Sequence, residues 1–386
     1  MHGHKASVAL AASLAAAAAL GPGAIAHAFN VTNLTSDGSV PAAWTDPKLI
    51  NAWGITYGVT PMGPTPFWIS DNNSGFSTVY KGDGTPLPLT VTIPGFGGPG
   101  APTGIVFNGT GGFNVSSGNK SGSSFFLWDT EDGTIDGWNP TVSPTTAIQA
   151  VNNHVPGGGS VFKGLTMASI GSSNYLYAAD FRQGQIDMYN SSFGLVNNFT
   201  DPNVKAGYAP FDVRELNGDL YVTFALQNAA KHDDVAGPGN GYVDVFSNNG
   251  TFLRRLVSQG GQVNSPWGLD IAPAGFGKFG GDLLVGNFGD GTISVFNPLT
   301  GAFLGVLDGP NGQPIVEGDL WGLINGGGGV AGNPNAVYFT SGVMDEAHGL
   351  FGSISVPEPT TWTLMLLGFG SAGAALRRSR VGLRRA

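Results

Sequence analysis

The sequence predicts an all-β fold, a six-bladed β-propeller closed by its N-terminal strand, and three observations carry that prediction. The composition disfavours helices, since 63 of 386 residues are Gly and 25 are Pro, the two poorest helix formers. A unit of roughly 50–60 residues, the length of a four-stranded blade, recurs six times. One extra strand-forming segment, Asn30 to Thr35, precedes the first unit.

Each unit opens on an aromatic or polar residue followed by Gly: Trp53-Gly54, Thr103-Gly104, Lys163-Gly164, Trp267-Gly268 and Trp321-Gly322, with Phe211-Asp212 in the same place. An apolar second strand follows, at Phe67 to Ser70, Phe125 to Trp128, Tyr175 to Ala179, Leu220 to Phe224, Leu283 to Val285 and Val337 to Thr340. Alternating third strands follow at Ser77 to Tyr80, Thr134 to Trp138, Gln185 to Tyr189, Tyr242 to Phe246 and Thr292 to Phe296, and fourth strands at Thr251 to Leu256 and Ala302 to Leu307. The last unit supplies only three strands, around Trp321, Tyr338 and Ile354. Asn30 to Thr35 is therefore expected to complete it and remove the exposed edges. Gly at the start of each first strand fits a narrow channel where backbones approach closely. Asp212 replaces that Gly once, and Lys163 is the only cation in the ring one position earlier. Both are expected beside the channel and, with His232, are the candidate catalytic residues.

The ends read as addresses. Residues 1–28 resemble a secretory signal peptide: Lys5, an apolar run from Ala6 to Leu20, and an A-x-A cleavage pattern at Ala26 and Ala28. Residues 29–356 form the propeller. In residues 357–386, Pro357-Glu358-Pro359 precedes an apolar stretch from Thr360 to Leu376 and a basic cluster that includes Arg377, Arg378 and Arg380. That stretch is long enough for one transmembrane helix, with its arginines held on the cytoplasmic side. The three-part layout resembles the PEP-CTERM sorting signal. The resemblance implies an exosortase-type partner, cleavage near the Pro-Glu-Pro, transient anchoring in the inner membrane and delivery to the cell surface or extracellular matrix.

The chain has no Cys, which excludes disulfides, thiol catalysis and Cys-based metal sites. Residues 29–356 hold 11 Lys and Arg against 25 Asp and Glu, so a nucleic-acid partner finds no basic stripe. No Walker loop, Gly-x-Ser-x-Gly elbow or His-Glu-x-x-His is present.

Chemistry is expected in the loops. The longest insertion, Gln227 to Gly241, contains His232, Asp233 and Asp234, and the turns of the fifth and sixth units contain Asn287 and Asp290, and Asp345, Glu346 and His348. All lie between second and third strands, so one face of the disc gathers them. Their oxygen-rich donor set suits Ca²⁺. The competing reading of the repeated Asp-x-x-x-Gly turns, such as Asp129 to Gly133, is plain hairpin chemistry.

Thr45-Asp46-Pro47-x-Leu49-x-Asn51-x-Trp53-Gly54, Phe67 to Asn72, Lys231 to Gly241, Gly286 to Gly291 and Asp345-Glu346-x-His348-Gly349 resemble an uncharacterised family of exported bacterial proteins that often carry PEP-CTERM tails. The repeats are more distantly similar to NHL-type propellers. That likeness implies a binder of proteins, RNA or ligands. With the export signals, and with exposed Trp expected to suit sugar stacking, the expected function is a binding or scaffold module for exopolysaccharide or envelope proteins. The alternative is a metal-dependent hydrolase, by analogy with six-bladed lactonases.

Overall fold

The computed structural model describes residues 28–357, which form six antiparallel blades whose first strands contact one another in an unbroken ring around a channel. The expected signal peptide up to residue 27 and the expected transmembrane segment, with Glu358, Pro359, Arg377, Arg378 and Arg380, lie outside the described residues. Among the described residues no helix is long and apolar enough to cross a membrane.

From the channel outward, blade one runs Ala52–Thr56, Phe67–Asp71, Phe76–Tyr80, Pro86–Thr92, and blade two Pro102–Phe107, Phe126–Thr130, Thr134–Trp138, Ile148–Asn152. Blade three is Phe162–Ile170, Ser173–Asp180, Gln185–Asn190, Leu195–Phe199, and blade four Tyr208–Leu216, Asp219–Leu226, Tyr242–Ser247, Phe252–Val257. Blade five is Pro266–Ile271, Leu283–Asn287, Ile293–Phe296, Phe303–Val306. Blade six takes Leu320–Asn325, Val337–Ser341 and Leu350–Ser355 from the C-terminal end, and Asn30–Ser36 completes it. The closing strand pairs antiparallel from Asn30 opposite Ser355 to Ser36 opposite Leu350, and Trp44–Thr45 adds a short parallel edge to it.

Glycine at the head of the first strands is needed because neighbouring blades touch there. A Cβ on Gly104 would stand 2.2 Å from the Leu165 amide nitrogen, and one on Gly268 2.5 Å from the Trp321 carbonyl. Apolar side chains of adjacent blades fill the wedges between them, as where Phe67 and Tyr80 of blade one meet Tyr338 and Phe351 of blade six. Each such fully buried side chain stabilises the fold by about 1.5–3 kcal/mol.

Antiparallel succession fixes two faces. The first strands start at the mouth face, where every second-to-third connection also lies, and they end at the base face beside the first-to-second connections. The longest insertion lies on the base rather than in blade four. It spans residues 108–125 of blade two and folds into a hairpin of Asn114–Ser117 with Lys120–Ser123.

Candidate functional site at the channel mouth

Aromatic rings fill the upper channel. The residues that precede the ring glycines point inward, and Trp53 stacks on Trp321 with centroids 3.5 Å apart. Trp267 stands edge-on to both, Phe211 lies 5.9 Å from Trp321, and Phe288 stacks on its other side at 4.1 Å. The Trp267 indole donates to the Lys163 carbonyl and the Trp321 indole to Asn51 Oδ1. These tryptophans are buried, which corrects the expectation of exposed rings for sugar stacking; among the described residues only Trp44 is exposed. The plug holds because large flat side chains converge where the first strands leave no other filling. Beneath it Asp212 and Arg214 border a void about the size of one water.

Above the plug, side chains from five blades form one polar network. Lys163, at the start of blade three, is bonded to Glu131 of blade two, lies 3.6 Å from Asp233 of blade four and sits 5.0 Å from the Trp53 ring. His232 Nδ1 is 2.7 Å from Asp233 Oδ1 and 3.9 Å from Glu131 Oε1. Asn72 of blade one donates to Glu131 at 3.0 Å. Asn51, ahead of blade one, donates to Glu346 of blade six at 2.7 Å, and Asn73 donates to the Glu346 carbonyl. Backbone strain helps to present Glu346: Met344, Asp345 and Glu346 have φ of 60, 56 and 62°, a left-handed run that costs roughly 1–2 kcal/mol per residue. Asn51 also has a positive φ of 51°.

The electrostatics separate these groups. Burial alone would lower the Lys163 pKa, but Glu131 more than reverses it and leaves it above its ordinary value. Its hydrogen bond to His232, helped by Lys163, outweighs desolvation and holds Asp233 at about 2. Desolvation pushes Glu346 up to about 7 against the bond from Asn51. At neutral pH the mouth therefore combines a buried ammonium with a firmly ionised carboxylate and a carboxyl close to its titration point.

Glu131, His232 and Asp233 can each bring one ligand atom within 4.8 Å of the others. The Lys163 ammonium already occupies that place, bonded to one carboxylate and 3.6 Å from another. A divalent cation there would face a positive charge at short range, so the residues as arranged do not fit Ca²⁺.

The other sequence candidates divide among different surroundings. Asp212 is buried in the channel with its carboxylate against Gly164, and burial, opposed by Arg214, raises its pKa well above the ordinary value. Asp234 is pushed up by burial and has an unpartnered Oδ2. Asn287 accepts from the Asn264 backbone N–H and donates to Thr292 and Ser294, while Asp290 accepts from Thr292 and from the Asn264 side-chain amide. Both are thus committed to holding their turn against the segment that leads into the first strand. His348 pairs with Asp37 at 2.6 Å, on the seam of the closing strand. Asp345 shares the strained turn of Glu346. Glu131, Asn51, Asn72 and Asn73 complete this network and were not singled out as candidates from the sequence. The signal available for Asn51 was its fixed place two residues before Trp53-Gly54, and for Glu131 its being, with Glu346, one of only two Glu in these turns.

Residues 355–380 match the PEP-CTERM protein-sorting motif, which marks the chain for export with transient membrane anchoring. Two uncharacterized proteins of Acanthamoeba polyphaga mimivirus are similar over most of the chain. L690 is 34% identical, covering 86% of this chain and 87% of its own length, and R648 is 32% identical, covering 86% and 82%. Among solved structures, the PQQ-bound aldose sugar dehydrogenase of Streptomyces coelicolor has 11% identity and a TM-score of 0.48, covering 85% of this chain and 99% of its own. That likeness is one of fold.

Proposed function

This chain belongs to the family of the mimivirus proteins L690 and R648 and carries an export signal, and we propose that it is a binding module whose channel mouth holds a neutral or amino-bearing saccharide of an extracellular polysaccharide. One observation carries this reading: amides, carboxylates, an imidazole and an ammonium from five blades converge over a channel stoppered by aromatic rings. A ligand must sit on the mouth rather than thread the disc. Hydroxyl groups both donate and accept, as does the accessible mixture of Asn73, Asp233 and His232, which the buried Lys163 and Asn51 support from beneath. Glu131, Asp233 and Glu346 outnumber Lys163, so the charge disfavours uronic acids and sulfated sugars. The metal-dependent hydrolase reading lacks a comparable support, because Lys163 stands where the cation would.

The test is an array of neutral, amino and acidic oligosaccharides probed with the purified full chain, followed by calorimetric titration of any hit. Asp233→Asn changes one exposed oxygen and should weaken binding at least tenfold. Absence of any saccharide hit, or a hit that Asp233→Asn leaves unchanged, would remove the reading and direct attention to envelope proteins as ligands.

A further inference from the structure

We propose that the base face of the propeller rests against the lipid bilayer that receives the C-terminal segment, with the acidic mouth held away from it. The inference rests on the sorting tail and not on the saccharide reading. The chain's exit point sets the geometry. Leu350–Ser355 runs from mouth to base, and Val356 beyond it packs beside Gly277 in the first-to-second connection of blade five. The apolar stretch begins at Thr360. Four residues span at most about 14 Å even when fully extended, so the rim of blade six at the base is tied close to the lipid. First strands of up to nine residues make the disc about 25–30 Å tall, which keeps the mouth out of reach of the bilayer.

Charge acts in the same direction. The second-to-third connections on the mouth face hold seven acidic residues (Glu131, Asp132, Asp233, Asp234, Asp290, Asp345, Glu346) against Arg182 and Lys231. The first-to-second connections on the base hold Lys120 and Lys278 against Asp282. Anionic headgroups repel the first face and tolerate the second. Exposed apolar side chains occur on both faces, Phe96, Val155 and Val316 among those of the mouth. Charge and the exit point therefore choose the face, and the tips of the base only make contact feasible. Met62 is 98% exposed on the hairpin formed by Val59–Thr60 and Gly63–Pro64 of blade one, and Leu299 is 78% exposed at the turn between third and fourth strands of blade five. Such side chains can enter the headgroup layer without burying a charge.

The chain has no Cys, so single labels are clean. Met62→Cys, Leu299→Cys and, on the mouth loop, Val235→Cys are each tagged with a polarity-sensitive fluorophore in the full chain. Each variant is reconstituted in phosphatidylethanolamine/phosphatidylglycerol vesicles and recovered by flotation. The expected result is a blue-shifted emission and at least twofold quenching by brominated lipid at positions 62 or 299, with position 235 unchanged. Equal quenching on both faces, or none at either base position, overturns the proposal. Failure of the chain to float with the vesicles overturns it through its premise, and leaves saccharide binding by the mouth untouched.

Discussion

Asp129 and Glu131 stand two residues apart in one turn of blade two, and their neighbours give them opposite roles. Asp129 Oδ1 accepts the Gly104 amide at 2.7 Å and the Thr103 hydroxyl at 2.9 Å, which ties the second strand to the first. Asp180 does the same in blade three through the amide of Val161, while also capping that of Gln183 in its own turn, and Asn287 in blade five through that of Asn264. Glu131 instead meets only side chains, Lys163 and Asn72. A carboxylate whose lone pairs are committed to backbone N–H groups belongs to the scaffold. One that faces side chains can exchange partners with an incoming ligand, because those side chains can turn away.

The largest effect that separates the two sets is expected from Lys163→Met. Lys163 is almost fully buried and Glu131 nearly so, and removing one member of a buried pair strands the other charge. A loss of about 3 kcal/mol in urea unfolding follows. The double variant Lys163→Met/Glu131→Gln should regain more than half of it. A loss below about 1 kcal/mol for the single change would mean that the mouth is already solvated and that the contrast with Asp129 is one of degree.

Next in size is the response to pH. Burial pushes Asp136 up to about 8 and Asp129 up to about 7, with only their threonine and amide bonds opposing. A raised folded pKa means that the native state keeps a proton the unfolded chain has released. Their stabilising contribution is complete below about pH 4 and is lost as pH rises through 7 to 8. Asp233, held at about 2 by His232, has the opposite sign: its contribution is present above the unfolded value and fades only in strong acid. The melting temperature should therefore fall between pH 5 and pH 8. Asp136→Asn should flatten that fall and recover about 1–2 kcal/mol at pH 8, while Asp233→Asn should leave the slope unchanged. A slope that moves with Asp233 and not with Asp136 would reverse the assignment.

The scaffold was largely legible in the sequence because its causes are local and repeated. Trp53-Gly54, Trp267-Gly268 and Trp321-Gly322 announce the close approach of the first strands, but not the aromatic plug: from the sequence their rings are expected to be exposed, and convergence at the narrow channel buries them. The apolar second strands and the spare segment at Asn30 follow from pattern alone. The mouth was legible only in part. Lys163, His232, Asp233 and Glu346 could be picked out by type. Glu131 was hidden in Asp129-Thr130-Glu131-Asp132-Gly133, which reads as a hairpin turn, and Asn51 gains its role from a positive φ that composition does not reveal. His232 and His348 look alike in sequence, each beside acidic residues; the blade that carries the loop, and the seam that carries Asp37, decide which one reaches the mouth.

That last pair supplies the smallest effect and the sharpest boundary. His348 is 39% exposed in its pairing with Asp37, so solvent screens the interaction and His348→Ala should cost about 0.5 kcal/mol or less. It should leave saccharide titrations at the mouth unchanged. His232→Ala should cost as little in stability, because its ring is equally exposed, yet weaken the same titration, since it frees Asp233 from the bond that orients it. The two variants thus match in stability and differ in binding. If His348→Ala weakens binding as much as His232→Ala, the ligand reaches the closing seam, and the residues of that seam join those of the mouth in a single site.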